Sequence, residues 1–74
     1  MKTSPSLTLE ISSNGSTVRV YGKRSTKGWA ILHVAGAAAD RIATETHKDK
    51  AIRTALDCCD PQNPTTYHVK PANS

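Results

Sequence analysis

Three histidines, His33, His47 and His68, and two adjacent cysteines, Cys58 and Cys59, are the side chains with soft-metal donor atoms. Structural zinc sites repeat pairs of ligands about two to four residues apart, and neighbouring cysteines do not give that chelating spacing. No metal or other cofactor is expected. A disulfide between Cys58 and Cys59 would strain normal geometry and close no loop, so both thiols are expected free, in a reducing compartment. A reactive thiolate needs a helix N-terminus or a basic neighbour. These thiols instead close the C-terminal end of an amphipathic run, where the helix dipole opposes negative charge. The expected role is packing, Cys59 beside Ile52 and Leu56 and Cys58 nearer Ala51 and Ala55, with a thiol-based sensor as an alternative.

Other catalytic chemistry finds no foothold. The serines fall in turns and tails, and no hydroxyl is paired with a histidine and a carboxylate in a recognisable pattern. Gly22 and Gly28 flank a turn that lacks the Gly-Lys-Thr/Ser ending of a phosphate-binding loop. His33 lies within a strand-like run and reads as a sheet residue rather than a base. The sequence is therefore read as non-enzymatic.

What remains is surface charge. The chain carries a net charge of +4 and an isoelectric point near 9.4, which suits an acidic partner: nucleic acid, a nucleoprotein complex or an acidic protein surface. If Val18 and Val20 point inward, Arg19 and Tyr21 project from the opposite sheet face, where Arg41 can join them. The loop from Gly22 to Gly28 adds Lys23, Arg24 and Lys27. Lys48 and Lys50, at a helix start, are further candidates for partner contact. Cations interleaved with an aromatic ring can neutralise phosphates and stack on a base.

The elements that would position these residues follow from periodicity. Leu7, Leu9 and Ile11 alternate with polar residues, Asn14-Gly15 favours a type I′ turn, and Val18 and Val20 alternate on the return. Trp29-Ala30-Ile31-Leu32-His33-Val34 is apolar on both registers, leaving open whether Trp29 and Ile31 or Leu32 and Val34 meet the helix. Ala35 to Asp40 reads as a turn and Arg41 to Glu45 as a fourth strand. Thr46 and Asp49 resemble a capping box, after which Ala51, Ile52, Ala55, Leu56 and Cys59 share one helical face. Asp60-Pro61-Gln62-Asn63-Pro64 stops that helix, and Thr65 to Lys70 reads as a last strand at a sheet edge.

The expected fold is α+β, an antiparallel sheet of four or five strands with one helix across it, in the order β-β-β-β-α-β. Residues 6–70 form the domain, with tails at 1–5 and 71–74. A chain of 74 residues whose apolar fraction is 36%, with no Phe and one Trp, supports only a thin core, which one sheet face and one helix can supply. No run approaches the roughly 18 apolar residues of a membrane span, and the N-terminus lacks a signal-peptide core. A cytoplasmic protein of a bacterial host cell, with no membrane partner, is expected.

The order Gly28-Trp29, a hairpin return, a Thr46-His47-Lys48 helix start leading to Ala51-Ile52 and a final strand resembles a small bacterial and phage domain family of uncharacterised function. That family carries its capping Thr where alignment on Ala51-Ile52 puts His47, so the cap is expected one residue earlier, at Thr46. In size and build the chain is also similar to phage anti-CRISPR proteins. These likenesses imply an accessory protein that blocks a bacterial defence complex such as CRISPR interference. The alternative without nucleic acid is a protein–protein module or homodimer, built on the apolar Trp29–Val34 strand and an unpaired Thr65–Lys70 edge.

Overall fold

Asn14 and Gly15 take φ of 52° and 82°, the left-handed angles a type I′ turn needs at both central positions. They close β1 (Leu7–Ser13) on β2 (Ser16–Tyr21), with Ser13 opposite Ser16. The structure, a computed structural model, describes residues 6–72. A second hairpin joins β3 (Trp29–Ala35) to β4 (Ala38–Glu45). Its turn needs only Gly36 and Ala37, with Gly36 at φ 60° supplying the positive angle that an L-residue adopts at a cost. The fourth strand therefore begins at Ala38 rather than Arg41. Ala38 and Ala39 pair with Ala35 and Val34, extending the ladder into the stretch expected to turn.

Helix α1 (Lys48–Cys58) follows, and β5 (Thr66–Pro71) is the last strand. The result is α+β: a five-stranded sheet in the order β1-β2-β5-β3-β4 with one helix. Two expectations are corrected. The sheet is mixed rather than antiparallel throughout, because β5 runs parallel to β2 and antiparallel to β3. And β5 is central, not at an edge. Each hairpin satisfies only one side of its inner strand, so β2 and β3 both present unpaired backbone, and a strand between them satisfies both rows at once. Since β4 and β5 are both antiparallel to β3, they run parallel to each other. Parallel strands require a long crossover, commonly a helix, and α1 is that crossover.

The core lies between α1 and one sheet face. Val18, Val20, Trp29, Ile31, Tyr67 and Val69 from the sheet meet Ala51 and Ala55 from the helix, and none of these is more than 7% exposed. Trp29 and Ile31 thus face the helix, which resolves the ambiguous strand. The two buried alanines let α1 sit close to the sheet, with Ile52, Leu56 and Cys59 partly buried around them.

The capping box does not form. The N-cap is His47, extended at φ −111° and ψ 145°, and its side chain makes no capping hydrogen bond. With the cap at His47, the third helical position is Lys50, so Asp49 cannot reach back as the box requires. Asp49 remains in the first turn, where its charge complements the helix dipole. At the other end the Tyr67 hydroxyl donates to the Cys58 carbonyl at 3.1 Å, occupying one of the carbonyls a helix end leaves open. Burial, with the nearby Cys58, Cys59 and Asp60, raises the Tyr67 pKa.

Pro71 and Ala72, expected to belong to a tail, are instead tied to the sheet. Pro71 ends β5, and the Ala72 N–H donates to the Gly28 carbonyl at 2.9 Å. The expected tail at Met1 to Pro5, with Asn73 and Ser74, lies outside the described residues.

Candidate binding face

With Val18 and Val20 buried against α1, the alternation of β2 sends Arg19 and Tyr21 to the sheet face away from the helix. The same rule applied to β5 buries Tyr67 and Val69 and turns out His68 and Lys70. The strand register brings these residues together. Arg19 pairs with His68, His68 with Leu32, and Leu32 with Arg41, forming one row across four strands. The adjoining row carries Tyr21, Lys70, Ala30 and Thr44.

Arg41 joins the row through a bulge. Ile31 pairs with Ala43, which faces the helix, yet Leu32 pairs with Arg41 because Ile42 is inserted between them. Strict alternation would have placed Arg41 on the side of Ala43. Bulges re-aim side chains in this way, leaving Ile42 46% exposed.

The aromatic and cationic groups touch. Tyr21 and His68 make an edge contact with ring centroids 5.0 Å apart, and the Lys70 ammonium stands 5.3 Å from the Tyr21 ring centre. Burial, then the charges of Lys70 and Arg19, hold the His68 pKa below its ordinary 6.5. Half-buried Leu32 and Val34 give the middle of the face an apolar floor.

Acidic groups are sorted to the other side. Asp40 and Glu45 pair opposite His33 and Trp29 on the helix side, and Asp49, Asp57 and Asp60 belong to the helix and its exit. Among the described acids, Glu10 alone stands on the open face. It lies opposite Arg19, accepting from its Nε at 2.8 Å, and this hydrogen bond, with the charge of Glu10, raises the arginine pKa further.

Lys23, Arg24 and Lys27 are exposed in the loop at the end of the sheet that carries Tyr21 and Lys70. The Ser25 hydroxyl donates to the Gly28 carbonyl at 2.5 Å and accepts from the Lys27 N–H at 3.2 Å, which folds the loop on itself. Arg24, Ser25, Thr26 and Lys27 line a shallow groove closed by Pro71 and Ala72. Gly28 has φ 89°, and a β-carbon there would lie 2.8 Å from the Glu45 carbonyl oxygen, so only glycine fits without a shift.

Two of the expected contact residues lie elsewhere. Lys48 stands 5.9 Å from the centre of the Trp29 ring and Lys50 is 3.9 Å from the Glu45 carboxylate, both on the helix side. The structure adds His68 and Lys70, which the sequence reading overlooked. Their signal was the alternation of Tyr67 and Val69, which implies an outward His68 and Lys70 once β5 is placed inside the sheet.

The edge at Thr65–Lys70 that supported a pairing module is occupied on both sides; among the described strands the edges are β1 and β4. Cys58 is exposed rather than packed, while the Cys59 thiol donates to the Ala55 carbonyl at 3.4 Å. Among the described residues no cluster of three His, Cys, Asp or Glu side chains could hold a metal ion, and no helix is long and apolar enough to cross a membrane. Compared with protein-family models, curated proteins and solved structures, the chain matches none.

Proposed function

We propose that this protein is a non-enzymatic module that binds nucleic acid, free or within a nucleoprotein complex, through its open sheet face and the Lys23–Lys27 loop. The observation that carries the reading is the register of the face. Arg19, His68 and Arg41 share one row, Tyr21 and Lys70 stand in the next, and acidic groups are concentrated on the helix side. Cations fixed on a rigid sheet neutralise phosphates without a large ordering cost, and the counterions they displace make such binding steeply salt-dependent. A bacterial defence complex such as one of CRISPR interference offers the same phosphate surface and falls within this proposal.

The test is fluorescence anisotropy with labelled single- and double-stranded oligonucleotides between about 50 and 200 mM salt, the range over which phosphate-directed binding falls steeply. Replacing Lys23, Arg24 and Lys27 together with alanine should lower affinity and flatten the salt slope by about two to three units, since each lost phosphate contact removes roughly 0.7 to 0.9. The melting temperature should stay nearly unchanged because all three side chains are exposed. Glu10→Gln should act oppositely and tighten binding by releasing Arg19. Absence of binding to any oligonucleotide at the low-salt end would sink the reading, leaving an acidic protein surface as the partner class to test.

A further inference from the structure

The make-up of the face bears on which form of nucleic acid it takes. A face built for phosphates alone would be cationic throughout. Here the centre is apolar: Ala30, Leu32 and Val34 of β3 lie between the β2 and β5 cations on one side and Arg41 on the other. Arg19 and Arg41 are three strand spacings apart, roughly 14 Å. The interval contains an imidazole and a leucine; both gain from covering a base plane, and the leucine gains nothing from a phosphate. Beside it, Tyr21 and His68 meet edge to face, with ring centroids 5.0 Å apart, and supply two rings on which a base can stack.

Duplex readout by base edges needs an element that enters a groove, such as a helix or a two-stranded ribbon. Among the described residues, the helix lies on the opposite side of the sheet, and no helix projects from the open face. Bases in a duplex are stacked on one another and have no plane free for Tyr21 or His68. An unpaired strand has such planes, and stacking tolerates any base because every base has a π-face.

We infer that the nucleic acid taken by this face is single-stranded, with a base stacked on the Tyr21–His68 cluster and the adjoining phosphate at the Arg24–Lys27 groove. The inference rests on the nucleic-acid reading above and narrows it. Lys70, now over the Tyr21 ring, moves aside to pair with the backbone. Arg19 and Arg41 hold the phosphates to either side of the bases over Leu32.

The experiment compares four ligands at one low salt concentration: a single-stranded thymidine oligonucleotide, the same length of duplex, an abasic strand that keeps the phosphates, and inorganic polyphosphate. The single strand should bind tightest, and the abasic strand should lose about five- to a hundred-fold, the range a lost stacking contact gives. Tyr21→Leu should lose a similar factor for the single strand and little for polyphosphate, while Tyr21→Phe, which keeps the ring, should bind like the native protein. If Tyr21→Leu does not fold, NMR of the native protein decides. The single strand should shift the Tyr21 and His68 ring protons upfield by stacking, which polyphosphate should not do.

Equal binding of all four ligands with no such ring shifts would overturn the stacking inference and leave a phosphate-binding face. Tighter binding of duplex than single strand would overturn it as well. No binding of any ligand would remove the nucleic-acid reading itself.

Discussion

His68 illustrates how a single side chain takes its properties from its neighbours. Partial burial and the charges of Lys70 and Arg19 oppose its protonation, so its pKa is lower in the folded protein than the 6.5 of an unperturbed imidazole. Between the two values the unfolded chain binds more protons than the native one, so stability rises with pH across that interval. The His68 contribution is thus complete above about pH 6.5 and is lost as pH falls through the folded value. Thermal melts from about pH 8 to 5 should show His68→Gln losing less stability toward acid than the native protein; parallel curves would mean His68 is not the titrating group. Its role was hard to see in the sequence because a histidine in an apparent edge strand has no assigned neighbours. Arg19 and Tyr21 were legible, since Val18 and Val20 flank them in plain alternation.

Among the elements, the first turn was legible, the second was expected too long, and the helix start lies one residue later than expected. Asn14-Gly15 carries its own conformational requirement, and no distant contact was needed to predict it. The helix start depends on where β4 ends, and Glu45 still pairs opposite Trp29. Thr46 and His47 are then used to leave the sheet, which puts at the cap an imidazole that makes no capping bond. Supplying a hydroxyl there should help. His47→Ser is expected to stabilise the protein by about 0.5–2 kcal/mol, a rise of several degrees in melting temperature for a domain of this size. No gain in a calorimetric scan would show that the first turn is already satisfied. The bulge at Ile42 is the counterexample, for nothing in Arg41-Ile42-Ala43 announces an inserted residue, and it alone turns Arg41 to the open face.

For the whole molecule, the last strand holds the rest together. β5 pairs with β2 on one side and β3 on the other, so without it the two hairpins lose their common partner. Isolated hairpins are marginal in water, and the helix would have no continuous face on which to pack. A chain ending at Pro64 should therefore show no cooperative unfolding by circular dichroism. A sharp transition in that variant would mean the hairpins pair directly. Ile31, at 0% exposure beneath the helix, offers a milder probe: Ile31→Ala should cost roughly 2–5 kcal/mol in chemical denaturation, more than Leu56→Ala, because Leu56 is only partly buried.

The α+β class, the Asn14-Gly15 turn, the opposition of Val18 and Val20 to Arg19 and Tyr21 across β2, and the helix face of Ala51 and Ala55 were legible in the chain alone. Each of these follows from periodicity or turn chemistry within a short window of chain. Tertiary structure decided the rest: the central place of β5, the choice of Trp29 and Ile31 over Leu32 and Val34 as the buried register, and the row that aligns Arg19, His68 and Arg41. Those outcomes depend on backbone hydrogen bonds between strands far apart in sequence, as when Thr17 pairs with Thr66. Such pairings are selected by which open sheet edges remain to be satisfied, a property no local stretch of residues carries.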